Sequence, residues 1–347
     1  MKVAHFTFWA PRRSGMYESV KDQIKYERKE GLESHLVDPN HEKPDETLID
    51  DGWLTVSPWE LARECDIWVL HGKIPNELDD LFDKKVTVAV LHGPNESLIL
   101  KEWAKQNASF NTHISILWKY DATVTLNQHE YDIMRLYDEK TNRCHYIPNS
   151  IDLERYPVAG DKWVYHNRPA IGSFDVNRLE KLPVNIIWAM PKVCEKVPKA
   201  RLNMFSLSLE QIGMFRNIYC RSYKRALQGE YSEMIQLENM DLRSFMRGID
   251  IGFNSNISGI ASRVTMEMMA MGVPVVSYGG NYTNYVARIW DLDSIAQQIE
   301  RCWKDLKRPN STLKGDVAKY AKTNFDRSKE VKKYVKLYQQ LMEKKHG

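Results

Sequence analysis

The sequence predicts an α/β protein that contains two doubly wound parallel sheets. Segments with the character of strands and of amphipathic helices alternate along the chain, which is typical of parallel sheets with helices on both faces. The alternation restarts after a polar stretch at 157–169, which we interpret as a linker. At 347 residues, the chain is long enough for about two domains of roughly 150 residues each. We therefore expect one sheet before the linker and one after it.

The first half supplies the first predicted sheet and its first helix. The run at 17–29 predicts a helix, because Val20, Ile24 and Glu27 follow helical spacing. Gly31 stands where a C-terminal cap belongs. Short apolar segments predict strands at 2–9, 34–38, 66–70, 86–91 and 122–127.

Two of these strands lead directly into a His-Gly pair. The strand at 66–70 is followed by His71, and the strand at 86–91 is followed by His92. Ligands of open α/β sheets bind at the carboxyl ends of the strands. Both histidines are therefore candidates for a ligand contact, and a histidine that only caps a strand is the alternative.

The second half repeats the alternation. Strand-like segments are found at 170–174, 201–207, 233–237, 250–256 and 273–278. Helical segments lie between and after them, at 184–197, 209–227, 240–247, 263–271 and 294–306, and a long basic amphipathic tail covers 314–346.

Composition excludes several classes of protein. Hydrophobic residues make up 43% and charged residues 27%, with a net charge of +3, so a disordered or fibrous chain is not expected. The five cysteines are scattered without a Cys-x-x-Cys pair, which argues against a disulfide framework or zinc site and favours a reducing compartment. The sequence has no apolar run long enough to span a membrane and no secretory signal, so we expect a cytoplasmic protein, or host-cytoplasmic if viral. Dinucleotide, ATP-binding and serine-hydrolase motifs are absent.

The segment 254–280 has the pattern of an anion-binding turn. A strand ends in a loop of small residues, and a helix begins near Ser262, Arg263 and Val264, so its first amide groups point into the loop. Such helix starts attract phosphate, and a guanidinium adds a planar charged donor. Glu267 lies four residues after Arg263 on the same face, where a carboxylate can accept two vicinal hydroxyls. Further along, Gly279 and Gly280 allow close approach of the backbone to a ligand.

This segment resembles the nucleotide-sugar-binding segment of GT-B glycosyltransferases of the retaining GT4 type. In that family two Glu residues are separated by seven others, and the second is followed by Ala-Met-Ala-x-Gly-x-Pro-Val-Val and Gly-Gly. Glu267 matches the second Glu, which holds the ribose in the family. The first Glu, which contacts the donor sugar, is replaced by Gly259. Sugar identity and activity therefore stay open.

Three further segments resemble the same family, namely 145–156, 291–300 and 321–342. The resemblance implies the GT-B fold, with two Rossmann-like domains that face a cleft. The first would be an acceptor-side domain at 1–157, which the C-terminal helix at 325–347 joins by crossing back. The second would be a nucleotide-sugar-binding domain at 158–324.

The resemblance also implies a set of site residues in both domains. On the first domain it implies a donor-phosphate loop at Ser14 and Gly15 and a residue near the donor sugar at His92, with His71 as its rival. On the second it places basic side chains on the diphosphate, for which Arg178 and Lys181 are the loose match. Catalytic roles then fall to His92, Arg263 and Lys181. Donor-binding roles fall to Ser14, Gly15, Arg178, Lys181, Ser262, Arg263, Val264, Glu267, Gly279 and Gly280.

The implied reaction is retaining transfer of a hexose from a nucleotide-diphosphate sugar, with UDP as the preferred guess, to a hydroxyl acceptor. No metal and no cofactor are expected. The acceptor stays open among a glycan, a small molecule and hydroxymethylated DNA, the last as in viral enzymes of this fold. A sugar-nucleotide-binding protein with weak catalysis is a further alternative, because of Gly259.

Segregated charge motivates the DNA alternative. Residues 199–228 carry six basic residues against one acidic residue, and 321–347 carry eight against three. Basic runs interleaved with Tyr219, Tyr223, Tyr334 and Tyr338 would suit nucleic acid or an anionic membrane. Ordinary solvated helix faces are the alternative.

Overall fold

The computed structural model describes most of the chain and divides it into two compact units. The described residues are 1–7, 15–37, 56–57, 59–71, 76–92, 119–136, 138, 141–165, 168–174, 184–205, 232–235, 242–257 and 261–346. Unit 1 comprises residues 1–152 together with 326–347, and unit 2 comprises residues 153–325.

Unit 1 contains a seven-stranded parallel sheet. Its strands are β1 (Lys2–Phe6), β2 (Glu33–Val37), β3 (Val56–Ser57), β4 (Ile67–Leu70), β5 (Val86–Leu91), β6 (Ala122–Thr125) and β7 (Cys144–Tyr146). They lie in the order β3-β2-β1-β4-β5-β6-β7, and every pairing is parallel. The switch point of this order lies between β1 and β4, where doubly wound sheets bind their ligands.

The helices of unit 1 include α1 (Gly15–Lys29) and α2 (Gln128–Arg135), with 3-10 turns at Trp59–Glu64 and Asn76–Lys84. Gly31 has a φ of +85°, the left-handed conformation expected of the residue that ends α1. The sequence therefore located this helix and its cap correctly. It did not reveal β3 or the last strand of unit 2, which have only two residues each.

Unit 2 contains a six-stranded parallel sheet. Its strands are β8 (Ala170–Ser173), β9 (Arg201–Phe205), β10 (Ser232–Ile235), β11 (Ile251–Asn254), β12 (Val275–Ser277) and β13 (Tyr285–Val286). Their order is β10-β9-β8-β11-β12-β13, the same winding as in unit 1, and again every pairing is parallel. The prediction of two doubly wound sheets is confirmed.

The described α-helices of unit 2 include α3 (Val184–Lys196), α4 (Leu242–Gly248), α5 (Arg263–Ala270), α6 (Leu292–Lys307) and α7 (Leu313–Asn324). Pro191 lies inside α3, which continues through it. Gly272 follows α5 with a φ of +81°, as expected of the residue that stops this helix. The helix predicted at 209–227 lies outside the described residues.

The basic tail forms two helices, because α7 ends before α8 (Arg327–His346) begins. The segment 321–342, which resembles a single terminal helix, therefore includes the end of α7 and the start of α8. Asp326 at the junction accepts hydrogen bonds from the Ser328 amide at 2.9 Å and from the Ser328 hydroxyl at 2.6 Å. This carboxylate starts a new helix in the manner of an N-cap residue.

The helix α8 completes the core of unit 1. Tyr334, Leu337 and Tyr338 are buried with valines of β1, β4 and β5. Tyr334 and Tyr338 are only 1% and 0% exposed, so they are core residues. The interpretation of these two tyrosines as part of a basic surface that suits a polyanion is wrong, because their spacing of four residues places both on the face of α8 that packs on the sheet. Tyr219 and Tyr223 lie outside the described residues.

We find no helix among the described residues with the length and apolar character needed to cross a membrane.

Candidate functional site

The start of α5 lies at the carboxyl edge of the sheet in unit 2. The strand β11 ends at Asn254, and α5 begins at Arg263 after Ser262 as its N-cap. The Ser262 hydroxyl accepts a hydrogen bond from the Thr265 amide at 3.3 Å. A helix start concentrates amide donors and the positive end of the helix dipole, so this edge favours an anion. Gly259, which replaces the family's first Glu, lies outside the described residues.

Arg263 and Glu267 form a buried ion pair within the first turns of α5. The guanidinium Nε donates to Glu267 Oε1 at 2.7 Å, and the two side chains are about equally shielded from solvent. Removing one partner of such a pair costs roughly 3–5 kcal/mol, because it leaves the other charge buried and uncompensated. The structure therefore brings together two side chains that the sequence placed on one helix face, and pairs them with each other.

Tyr156 is a third member of this cluster that the sequence did not predict. Its hydroxyl donates to Glu267 Oε1 at 2.7 Å across 111 residues of sequence. Burial, followed by the nearby Glu267 carboxylate, raises the pKa of Tyr156, so its hydroxyl stays protonated and remains a donor. The motif that 145–156 resembles, Ile-Pro-Asn-Gly-x-Asp-x-x-x-Phe, has Phe at the position of Tyr156, and that difference was the available signal. We refer to Arg263, Glu267 and Tyr156 as the buried triad.

The two glycines follow the neighbouring strand at the same edge. Asn254 at the end of β11 pairs with Ser277 at the end of β12, so the segments after both strands begin side by side. The Ser277 hydroxyl donates to the Gly279 carbonyl at 2.5 Å. Gly280 has a φ of +93°, which an L side chain rarely adopts. The strand ends are joined further by Asn254 Nδ2, which donates to the Tyr282 hydroxyl at 2.6 Å.

The other residues that were predicted to bind the nucleotide-sugar donor lie in both units or outside the described residues. Gly15 is the first residue of α1 in unit 1, is exposed, and accepts a hydrogen bond at its carbonyl from Ser19 Oγ at 2.8 Å. Val264 is half-buried in the first turn of α5. Ser14, Arg178 and Lys181 lie outside the described residues.

His92 lies one residue after β5 in unit 1 and is half-buried. Its Nε2 contacts Nδ1 of His71 at 2.7 Å. His71 follows β4 and is itself buried. The two histidines that the sequence treated as rivals are therefore hydrogen-bonded neighbours, at the carboxyl ends of adjacent strands.

The motif at 145–152 has a different role from the donor site. Asp152 is fully buried and accepts hydrogen bonds from Lys25 Nζ at 2.5 Å and from the Tyr26 hydroxyl at 2.8 Å. Arg327 at the start of α8 donates to the Ser150 carbonyl at 2.7 Å. These contacts fasten α1 and α8 to the end of the sheet in unit 1, so the motif is structural there.

A basic cavity occupies the opposite edge of the unit 2 sheet. Arg168 and Asp250, which precede β8 and β11, form an ion pair at 2.8 Å. Burial lowers the pKa of Lys314, and the neighbouring Lys162 and Arg168 lower it further, against the opposite effect of Asp250. Because this cavity lies at the amino ends of the strands, it is separate from the edge at α5.

The strand orders of the two sheets define a pair of doubly wound α/β units, and comparison with solved structures identifies the fold. The structure of HepE from Anabaena in complex with UDP and glucose matches with a TM-score of 0.73 and 13% identity, over 98% of this chain and 100% of that chain. Sucrose-phosphate synthase from Thermosynechococcus elongatus matches with a TM-score of 0.73 and 15% identity, over 98% and 99%. The predicted GT-B fold is thus confirmed.

A third solved structure of similar fold contains DNA. An alpha-glucosyltransferase in complex with UDP and a 13-mer DNA containing a HMU base matches with a TM-score of 0.66 and 13% identity, over 97% of this chain and 98% of that chain. No protein-family model matches the chain, and no curated protein matches its sequence. Likeness at these identities is a likeness of fold.

Proposed function

We propose that this chain is a GT4-like retaining glycosyltransferase that moves a hexose from a UDP-sugar to a hydroxyl acceptor in the cytoplasm, without a metal or cofactor. The buried triad at the start of α5 carries the proposal. It places a guanidinium and a carboxylate beside free helix amides at the edge of the sheet where such folds bind ligands. Several solved structures of the same fold contain UDP or UDP-glucose.

The donor diphosphate would be bound by Arg263, Lys181 and the amides of Ser262 and Val264. Negative charge on the diphosphate grows as the sugar bond breaks, so donors fixed in advance stabilise the transition state more than the ground state. The buried position of Arg263 strengthens this effect, because little water competes there.

The ribose would be bound by Glu267. A carboxylate has about four acceptor sites, so the bonds from Arg263 and Tyr156 to Oε1 do not by themselves exclude the ribose hydroxyls. Those two bonds also fix the orientation of the carboxylate before the nucleotide arrives. His92 would contact the donor sugar from unit 1, and Gly279 and Gly280 would allow the backbone to approach the ligand.

A panel experiment tests this function. The chain is incubated with UDP-, GDP- and ADP-hexoses together with glycan, small hydroxyl and hydroxymethylated duplex acceptors, and the products are identified by mass spectrometry. A UDP-hexose product with retained configuration is expected. Turnover only with a different nucleotide would overturn the UDP assignment. Binding of UDP with no transfer and no hydrolysis would favour the nucleotide-sugar-binding alternative.

We propose DNA as a second acceptor class because one structure of the same fold contains a 13-mer DNA with a HMU base. The exposed face of α8 adds a specific observation, since it carries Lys332, Lys333 and Lys336. Duplex binding through such residues weakens steeply with salt. The variant that changes all three lysines to Gln should lose salt-sensitive duplex binding if DNA is the acceptor, and should transfer to other acceptors as before. Unchanged duplex binding would remove the argument from α8.

A further inference from the structure

A chain of four hydrogen-bonded side chains runs through unit 1 from Glu27 to His92. Glu27 Oε2 contacts His5 Nε2 at 2.7 Å, and His5 Nδ1 contacts His71 Nε2 at 3.1 Å. His71 Nδ1 then contacts His92 Nε2 at 2.7 Å. Both contacts between rings join Nδ1 of one histidine to Nε2 of the next, so the three histidines repeat the same arrangement.

The fold explains why these residues meet. His5 lies on β1, the central strand, and His71 and His92 follow β4 and β5, its successive neighbours on one side. Each histidine lies two residues after a valine, so it projects from the same face of the sheet as that valine. The three valines, Val3, Val69 and Val90, belong to one core cluster, so the three histidines lie on one face. Glu27 enters from α1, where it continues the apolar stripe of that helix. His5 and Glu27 are fully buried.

The Glu27 carboxyl group at the end of this series of side chains is ionised. Its carboxylate also accepts from Ser34 Oγ at 2.7 Å, from Gln23 Nε2 at 2.9 Å and from the Tyr338 hydroxyl at 3.0 Å. Burial by itself raises the pKa of Glu27, but the charge and hydrogen bond of His5 and the bonds from Ser34 and Gln23 outweigh it, so the pKa is lowered. Four donors thus surround one buried negative charge.

The direction of the hydrogen bonds follows from this anchor. A carboxylate only accepts, so Nε2 of His5 carries a proton. When His5 is neutral, its Nδ1 accepts, so Nε2 of His71 donates. Nδ1 of His71 then accepts in turn from Nε2 of His92, and Nδ1 of His92 is left as an acceptor.

One added proton reverses this order. The proton enters at Nδ1 of His92, whose Nε2 proton passes to Nδ1 of His71, whose Nε2 proton passes to Nδ1 of His5. His5 then carries both protons beside the Glu27 carboxylate, while His71 and His92 stay neutral with their protons on Nδ1. The atoms balance, with one proton taken from solvent, and Nδ1 of His92 has become a donor.

Of the three histidine rings, His5 is the one in contact with the Glu27 carboxylate, at 2.7 Å. Burial lowers the pKa of His71 well below its usual value, and His92, His5 and Arg327 lower it further. Burial, followed by the charge of Arg327, lowers the pKa of His92 to about 3. Within the part of the protein that the structure describes, the ionisable or charged groups next to these side chains are Glu27 from α1 and Arg327, Tyr334 and Tyr338 from α8. Glu27 is the anion among these groups, and it touches His5.

We propose that Glu27, His5 and His71 are positioning residues that convert one buried proton into a change of role at Nδ1 of His92, from acceptor to donor. The donor form supports sugar transfer, because an N–H at this strand end stabilises negative charge that develops on an oxygen of the bound donor. This consequence rests on the proposed function, whereas the proton relay itself does not.

Nitrogen NMR of the protein labelled with ¹⁵N-histidine tests the relay without any substrate. As pH rises, His92 and His71 should move their proton from Nδ1 to Nε2 in one shared transition, together with the loss of one proton from His5. The His71→Gln variant should uncouple His92 from this transition. His35→Gln is the matched control, because His35 is a histidine of the same unit that contacts Glu33, at 3.3 Å. If His92 keeps one tautomer throughout the titration of the wild type, the relay is overturned.

Glu27→Gln tests the anchor, since without the carboxylate nothing holds the extra proton. His92 should then keep its proton on Nε2 at every pH. In the wild-type protein, kcat for sugar transfer should fall by a factor on the order of ten as pH rises through the tautomer transition, with a smaller change in KM. In the Glu27→Gln variant, kcat should equal this lower value at every pH. A tautomer switch without any effect on kcat would overturn the role in transfer. A tautomer switch in a chain that transfers no sugar would overturn the proposed function and leave the relay standing.

Discussion

At the scale of single residues, Tyr156 helps to hold the Glu267 carboxylate in place. Its hydroxyl is one of the donors to a carboxylate that is 5% exposed. Tyr156→Phe removes that donor and leaves the ring in place. We expect a loss of about 1–3 kcal/mol in the free energy of unfolding, measured by urea denaturation.

Tyr320→Phe provides the matched control for this prediction. Its hydroxyl donates to the Asn281 carbonyl at 3.3 Å in an exposed position of the same unit, so its removal should have little effect. Equal losses for the two variants would show that the Tyr156 bond has no special weight.

Glu267→Gln tests the ribose contact more cleanly than truncation to Ala. Gln has nearly the same volume, but it removes the charge that balances Arg263 and one of the acceptors available to a ribose. We expect the affinity for UDP to fall by about 1–3 kcal/mol, measured by calorimetry on protein shown by its melting curve to be folded. Unchanged affinity in folded protein would contradict the assignment of Glu267.

The sequence predicted part of this site and could not predict the rest. The spacing of Arg263 and Glu267 fixes their position on one helix face, so their proximity was predictable. The contact with Tyr156 depends on how a segment far away in sequence packs against α5, and no local pattern reports that. Glu27 left a weak signal as an acidic residue in an apolar helix stripe, but its partners come from three other elements.

At the scale of elements, the start of α5 has two separable roles. Ser262 caps the helix, and the amides that follow it are proposed to bind the diphosphate. Ser262→Ala should cost about 1 kcal/mol of stability and should also weaken binding of UDP more than binding of uridine. Calorimetry with both ligands makes the measurement.

The cap of α6 separates those two roles. Asp291 accepts from the Ser294 amide at 2.8 Å, and this bond lowers the pKa of Asp291. Asp291→Ala removes a cap from the same unit, so it should destabilise the protein and leave the difference between UDP and uridine unchanged. If Ser262→Ala and Asp291→Ala weakened binding of UDP relative to uridine by similar amounts, the helix start of α5 would not be a phosphate site.

The junction between α7 and α8 shows where sequence patterns fall short at this scale. Apolar residues recur at helical spacing on both sides of Asp326, so periodicity alone favours one helix. The capping carboxylate and the fixed position of Arg327 against Ser150 decide otherwise, and both depend on the folded unit. The fold itself was predictable, because the alternation of strands and helices is a property of every segment.

At the scale of the whole molecule, the chain returns to unit 1 after completing unit 2, so unit 1 is built from two distant stretches of sequence. Tyr338 joins these stretches, since it is fully buried and contacts Glu27 and Gln23. Tyr338→Ala should destabilise unit 1 by about 3–5 kcal/mol, the usual cost of truncating a buried aromatic residue. Lys336→Ala, at an exposed position of α8, is the control and should cost little.

Hydrogen exchange followed by mass spectrometry measures this effect separately in each unit. In Tyr338→Ala we expect faster exchange in β1, β4 and β5, while β12 and α6 exchange at the wild-type rate, because each unit has a hydrophobic core of its own. Under the same conditions the affinity for UDP should stay within about twofold of the wild type, since the proposed nucleotide contacts lie in unit 2. Faster exchange throughout both units would contradict their independence, because it would show that the two sheets unfold as one cooperative structure.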